Sequence, residues 1–393
     1  MTNKNISIIG VGRLGICVGL CLEHAGYNVL GVDVFPDYVE KINNKTLFSP
    51  EPSVNKMLSN SINFNATANF DEALVFSDII FIYVATPSSG GEKFYDHTTL
   101  GNILMKINER KVQNKHIVIG CTVTPGYIRE VGNFLIKDCK NTSLSYNPEF
   151  IAQGDIINGI FAADFILIGE GSKEAGNKLQ EIYEKLGESY GHIPVIHRMS
   201  PTSAEITKLS VNCFVTTKIA FANMIGDVAD LTIGANKFDI LNAVGADSRV
   251  GKKYLMPGYG FGGLCFPRDN RALGAYIQRM GIDPLIPIAT DTLNTLHTKF
   301  QTQQILDKKI DTVVIIGVGY KEKCSVPIIE ESAKLKIGQE LVRSGIRVIV
   351  KDIKLLIDCV KLEYGNLFEY EIVESLDDVS IVKLNMSNGY ILK

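Results

Sequence analysis

The stretch Gly260-Phe261-Gly262-Gly263-Leu264-Cys265-Phe266-Pro267-Arg268-Asp269 sets one thiol just after a glycine cluster, with a carboxylate four residues on. Glycine lets backbone approach a ligand closely, and a thiol held at such an approach is a candidate nucleophile. A buried free cysteine is ordinarily inert; nearby cations such as Arg268 or Lys208 would favour the thiolate. Lys208 and Asn212 are four residues apart in an apolar helical stretch, so an ammonium and an amide project from one face. That pair suits an oxyanion, while a solvated helix face is the bland alternative. Glu149, in Tyr146-Asn147-Pro148-Glu149-Phe150, is a loop carboxylate. Partly desolvated it would serve as a general acid or base; fully solvated it would do nothing.

These groups need a scaffold. A β-branched run, Ile6 to Ile9, leads into Gly10-Val11-Gly12-Arg13-Leu14-Gly15 and then a helical pattern up to Ala25-Gly26. The next strand, Val29 to Val32, ends at Asp33. Glycines at this spacing between strand and helix, with an acid about 20 residues on, form a dinucleotide fingerprint. The helix N-terminus would meet a pyrophosphate, and Asp33 would accept ribose hydroxyls and repel a 2′-phosphate, which favours NAD over NADP. Further apolar strands, Ile79 to Val84, Ile117 to Gly120 and Phe165 to Gly169, are followed in several cases by loops holding Thr86-Pro87, Thr124-Pro125 or Asn147-Pro148. Such loops are where open α/β sheets bind ligands.

From Ser200 the strand–helix alternation gives way to a long helix running to about Ile233, with Thr202 and Glu205 at capping-box spacing. A helix of that length is expected to bridge domains or line a dimer interface. Near Thr312 the opening motif returns as Val313-Val314-Ile315-Ile316-Gly317-Val318-Gly319, and the following strand ends at Asp352. The third glycine is missing, since position 322 is Glu322, so the fold without a second dinucleotide is the expectation. The fold class is therefore α/β. Two Rossmann-like doubly wound parallel sheets, residues 1–198 and a shortened 301–393, flank a helical middle domain, residues 199–300.

The composition is that of a soluble globular protein: 393 residues, 46% hydrophobic, 21% charged, net charge -3. No basic stripe is present to hold nucleic acid. The apolar runs are too short to span a bilayer. The opening residues lack a secretory pattern, so a cytoplasmic protein is expected. The eight cysteines (17, 21, 121, 139, 213, 265, 324 and 359) have no zinc spacing and read as reduced thiols, all but Cys265 as small hydrophobes. The six histidines form no ligand cluster, and no metal is expected.

Together, Gly10 to Gly15, Asp33, Thr86-Pro87, Thr122-Val123-Thr124-Pro125-Gly126, Asn147 to Phe150, Glu205 to Lys208, Asn212, Gly245 to Gly251, the Cys265 loop and Gly317 to Lys321 resemble the UDP-glucose/GDP-mannose dehydrogenase family. The likeness is close to collinear over about residues 5 to 325 and is nearest the UDP-glucose 6-dehydrogenase branch. It implies a four-electron oxidation of UDP-glucose to UDP-glucuronate with NAD, through a Cys265 thiohemiacetal and thioester. By the same resemblance Lys208 and Asn212 hold oxyanions, Glu149 and Asp269 order or activate water, and Thr122 counts among the catalytic residues. The cofactor would lie on Gly10, Val11, Gly12, Arg13, Leu14, Gly15, Asp33, Thr86, Pro87, Thr122 and Gln153. The nucleotide sugar would meet Glu149, Phe150, Ile151, Lys208, Asn212, Tyr254, Gly258, Tyr259, Gly260 and Lys321. Arg249 would reach the neighbouring subunit's substrate, so a homodimer is implied.

The chain also departs from the family. Gln153 stands where the family has Glu, which removes an acid–base group; restoring it by Gln153→Glu should raise turnover if that carboxylate matters. The basic contact expected near Tyr38 is absent. After Lys321 the family's Asp-x-Arg-Glu-Ser is replaced by Ser325-Val326-Pro327-Ile328-Ile329-Glu330-Glu331-Ser332. Two rivals follow: the same chemistry on a UDP-N-acetylhexosamine or GDP-mannose, and a nucleotide-sugar-binding protein without turnover.

Overall fold

The computed structural model describes residues 4–90, 94–151, 153–320, 326–375 and 389–392. Lys321, Glu322, Cys324 and Ser325 lie outside the described residues. The chain divides into two compact units, Met1–Lys208 and Leu209–Lys393.

The first unit is built on a sheet of eight strands. They are β1 (Asn5–Ile9), β2 (Asn28–Val32), β3 (Phe64–Thr67), β4 (Ile79–Ile82), β5 (His116–Ile119), β6 (Ser143–Tyr146), β7 (Phe165–Gly169) and β8 (Val195–Met199). Their order is β3-β2-β1-β4-β5-β6-β7-β8. All pairs are parallel except β6 with β7, which meet antiparallel at Tyr146 and Gly169. Ile6, Ile8, Ile80, Ile82, Ile117 and Ile119 are wholly buried, which is why β1, β4 and β5 read as continuous apolar runs rather than alternating ones. The first six strands follow the doubly wound order, so β1 and β4 mark the switch point at which ligands bind. β3 and β8 were not expected: β3 is four residues long, and β8 interleaves His197 and Arg198 with its apolar residues.

The second unit contains most of the Pro201–Leu231 helix, 31 residues and so about 46 Å long. The helices Lys237–Ala246, Phe266–Arg279 and Leu285–Leu306 follow, and then a second sheet. Its strands are β9 (Thr312–Ile316), β10 (Arg347–Ile353), β11 (Glu369–Val373) and β12 (Gly389–Leu392), all parallel in the order β11-β10-β9-β12. This is the expected echo of the first domain. Its acid behaves differently, however. Asp352 is fully buried, and its carboxylate accepts the backbone N–H of Val318 at 2.7 Å and of Ile353 at 2.7 Å. It closes the glycine turn instead of facing outward as a ribose ligand would.

Two details of the long helix differ from expectation. Its cap is Ser200, whose Oγ accepts the backbone N–H of Ser203 at 3.2 Å. With Pro201 as the first helical residue, the cap falls two positions earlier than Thr202 and no capping box forms. Glu205 is free to act elsewhere. Further along, Phe214, Phe221 and Val228, spaced by seven, are 67%, 41% and 57% exposed, and Leu231 is 69% exposed. Among the described residues no helix is long and apolar enough to cross a membrane. No group of three or more His, Cys, Asp or Glu among them could hold a metal ion.

Candidate active site

In the first unit the chemistry gathers beyond the C-terminal ends of β1, β2, β4, β5 and β6. Gly10 takes φ +89°, and a Cβ there would meet Tyr83 O at 2.2 Å. A Cβ on Gly15 would meet Gly10 O at 2.0 Å, so helix and strand can pack this closely only with glycine. Gly12 is the opposite case, with nothing within 4 Å of its Cβ position. Val11 is buried, Leu14 half-buried and Arg13 exposed at the start of the Arg13–His24 helix. The turn therefore leaves open space before a helix N-terminus, which suits the pyrophosphate of a dinucleotide. Asp33 is half-exposed at the end of β2, where its carboxylate accepts only the Phe35 N–H at 3.3 Å among the hydrogen bonds it makes here. Tyr38 fills the place where a basic contact was expected, its hydroxyl donating to Val11 O at 3.0 Å. Thr86 is buried and Pro87 exposed after β4; Thr122 is half-buried after β5.

Glu149 follows β6. Burial pushes its carboxyl up to about 7, against the opposing pull of the Lys208 charge and of the Tyr83 hydroxyl, which donates to Oε1 at 3.4 Å. The loop that carries it is fixed by Asn147, 1% exposed, whose Nδ2 donates to Leu167 O at 2.9 Å and whose Oδ1 accepts the Tyr183 hydroxyl. Lys208, only 6% exposed, donates to Glu149 O at 2.7 Å and lies 4.6 Å from the Phe150 ring centroid. Lys208 is thus not on a solvated face. The fold brings Glu149, Phe150 and Lys208 together, with Ile151 half-buried beside them.

Two carboxylates position these loops: Glu51, which the sequence did not single out, and Glu205, which it read as part of a capping box. Glu51 is 1% exposed and accepts the Gly154 N–H at 2.8 and 3.0 Å. Glu205 is fully buried and accepts the N–H groups of Gly126 at 2.6 Å and Ile128 at 2.9 Å, holding the loop that starts at Thr122. Burial raises its carboxyl to about 7. No local spacing signals either role, because each partner is at least 77 residues away.

In the second unit Cys265 is the N-cap residue of the Phe266–Arg279 helix, half-buried, with Pro267 in the first turn. A helix N-terminus favours the thiolate. The other described cysteines are also free thiols; Cys17, Cys21, Cys121 and Cys213 are buried, but Cys139 and Cys359 are half-buried. Asp269, one turn into the helix and fully buried, donates its N–H to Cys265 O at 2.8 Å. Its Oδ2 accepts Asn212 Nδ2 at 2.7 Å, and its Oδ1 accepts Arg268 Nε at 3.2 Å. The Asn212 amide is therefore oriented, with its second N–H left for another acceptor.

The glycine loop before Cys265 is clamped. Asn294 donates to Phe261 O and accepts Phe261 N–H, both at 2.9 Å, and a Cβ on Gly260 would meet Asn294 Oδ1 at 2.5 Å. A Cβ on Gly262 would meet Glu331 O at 2.5 Å, and Gly263 N–H donates to Glu330 O at 2.8 Å. The segment that departs from the family after Lys321 thus supports the cysteine loop. Arg271 secures it, bridging Asp291 at 2.9 Å and Glu331 at 2.5 Å. The preceding loop is held at Gly258, whose O accepts His297 Nε2 at 2.8 Å and Gln301 Nε2 at 3.0 Å. Asn223 bonds both Gly258 N–H and Tyr259 O. Tyr254 adopts φ +60° and is half exposed. Arg249 is exposed and forms a two-point pair with Asp247 of its own chain, at 3.0 and 2.7 Å.

Family models match both units. The NAD binding domain of the UDP-glucose/GDP-mannose dehydrogenase family matches residues 4–187, and its central domain matches residues 202–295. The chain belongs to the UDP-glucose/GDP-mannose dehydrogenase family. Among its relatives, UDP-glucose 6-dehydrogenase of Rickettsia bellii is 29% identical over 328 residues, covering 81% of this chain and 74% of that protein. GDP-mannose 6-dehydrogenase of Pseudomonas syringae pv. tomato is 28% identical over 365 residues, covering 88% and 80%. The solved UDP-glucose dehydrogenase of Pyrobaculum islandicum superposes with a TM-score of 0.83 at 25% identity, over 95% of this chain and 87% of that one. As a member of the UDP-glucose/GDP-mannose dehydrogenase family, this chain is an NAD-dependent nucleotide-sugar dehydrogenase.

Proposed function

We propose that the protein oxidises UDP-glucose to UDP-glucuronate with two NAD per sugar, Cys265 carrying the intermediate. The observation that carries this reading is the half-buried thiol at a helix N-terminus, backed by the buried Asp269–Asn212 pair. NAD, when bound, takes a hydride from C6 in each of the two oxidations. Gly10, Val11, Gly12, Arg13, Leu14, Gly15, Asp33, Thr86, Pro87, Thr122 and Gln153 would hold it.

The chain's own groups do the rest. Cys265 Sγ adds to the C6 aldehyde, forming a C–S bond, and the carbonyl electron pair becomes an oxyanion held by Lys208 and Asn212. After the second oxidation the carbon is a thioester. Water, deprotonated by Glu149 and ordered by Asp269 and Thr122, adds to that carbon, and the C–S bond breaks to return the thiol. Phe150, Ile151, Tyr254, Gly258, Tyr259, Gly260 and Lys321 would contact the nucleotide sugar.

With the Glu149 carboxyl at about 7, its base form is scarce below neutrality and fills in as pH rises. The rate of thioester hydrolysis is therefore expected to climb about tenfold from pH 6 to pH 8. Glu149→Gln should flatten that limb and slow the step. Single-turnover release of acid across pH checks this; an unchanged limb would take Glu149 out of the base role.

The stripe of Phe214, Phe221, Val228 and Leu231 supports a homodimer through the helical residues 199–300, with residues 1–198 serving the cofactor and 301–393 the nucleotide sugar. Arg249 would then serve the partner's substrate. The free thiols support a reducing, cytoplasmic setting.

The test is NADH released per nucleotide sugar consumed, with a panel of sugars and excess NAD. Two NADH per UDP-glucose is the expected result. Two per GDP-mannose, with none from UDP-glucose, would move the substrate to the second reading, to which the GDP-mannose 6-dehydrogenase relative at 28% identity belongs. No NADH from any sugar would overturn both.

A further inference from the structure

The first residue of the Arg13–His24 helix is a cation, and that helix has no acid in its first turn. A positive charge at a helix N-terminus opposes the helix dipole, so this placement is unfavourable unless an anion shares the space. The Arg13 guanidinium Nη1 donates to Gln153 Oε1, across 140 residues of sequence. Both partners are anchored from behind. Cys17 Sγ donates to Arg13 O at 3.1 Å, and the buried Glu51 carboxylate grips the N–H of Gly154, the residue after Gln153, at 2.8 Å. On the other side of the turn Tyr38 closes onto Val11 O, and Arg13 directly follows Gly12, whose Cβ position is open.

We propose that Arg13 and Gln153 work as a matched pair on the cofactor. Arg13 brings a full positive charge to the dinucleotide pyrophosphate, and Gln153 aims the guanidinium without cancelling that charge. A carboxamide oxygen accepts one guanidinium N–H and leaves the other donors and the whole charge available. A carboxylate at 153 would instead draw Arg13 into a two-point ion pair and cancel the charge it brings to the pyrophosphate. Gln153 is then a positioning residue adapted to Arg13, not a lost acid. The proposal rests on NAD as cofactor and is independent of which sugar is oxidised.

Equilibrium binding of NADH to the full chain, without any nucleotide sugar and over a series of salt concentrations, tests it. Arg13→Gln is expected to weaken binding about tenfold, the usual scale for a charge-assisted contact, and to lower its salt dependence. Gln153→Glu is expected to weaken binding by about fivefold or more and to raise the KM for NAD in proportion. In the Arg13→Gln background, Gln153→Glu should have little further effect. Equal or tighter NADH binding by Gln153→Glu would overturn the proposal. So would the same weakening in both backgrounds, which would mean direct repulsion of the cofactor with no pairing. Thermal unfolding of each variant, expected unchanged at these accessible side chains, separates a binding effect from a folding one. Failure of the unsubstituted chain to bind NADH would overturn the cofactor assignment itself.

Discussion

Cys265→Ala is expected to abolish UDP-glucuronate formation, by roughly 10⁴-fold or more, while NADH binding stays within about twofold of the parent. The reason is specific to the proposed two-stage oxidation. The aldehyde made first must be held while the cofactor is exchanged, and a covalent bond to sulfur holds it where hydrogen bonds would not. Cys265 sits at the N-terminus of the Phe266–Arg279 helix, on a loop clamped by Asn294, Glu330 and Arg271-bound Glu331. Alanine removes the sulfur and leaves in place the contacts of Asn294 and Glu330 to the backbone of Phe261 and Gly263. The expected signature is loss of acid product with an unchanged thermal midpoint and unchanged NADH titration. Acid production at the parental rate would remove Cys265 from the mechanism.

Asp269→Asn is the second large effect, with kcat expected to fall by about 10²- to 10³-fold. Asp269 is fully buried and accepts from Asn212 at 2.7 Å and from Arg268 at 3.2 Å, while its backbone N–H caps Cys265 O. Replacing the carboxylate by an amide keeps the volume and the backbone contact. It removes the negative charge that faces Arg268, and it lets the Asn212 amide turn over, since an amide can donate as well as accept. Asn212 would then no longer present an N–H reliably to an oxyanion. Parallel thermal unfolding separates this from simple loss of stability. A parental kcat in a stable Asp269→Asn would confine Asp269 to a structural role.

Much of the site was legible because its signals are local. Gly10 and Gly15 have backbone sterics that no side chain satisfies, so their spacing announces the turn. Lys208 and Asn212 declare a shared helix face by separation alone. The Cys265 loop stood out by its glycines, and each of these proved to be held closely by a neighbour. The same local reading misplaced the cap of the long helix, since Ser200, Thr202 and Glu205 offer overlapping patterns and only the position of Pro201 chooses between them.

The sequence by itself determined the doubly wound architecture, the dinucleotide turn with Asp33, the long helix and the thiol set on a glycine loop. Each depends on hydrophobic periodicity or on the backbone freedom of single residues, and both are written in neighbouring positions. Only the tertiary structure decided that Glu51 and Glu205 hold loops, that Asn294 and His297 fix the segment before Cys265, that Asp352 turns inward, and that Gln153 faces Arg13. Those are pairings of single polar groups across tens to more than a hundred residues. A buried polar atom must find a partner, but chain distance places no mark on which one it finds.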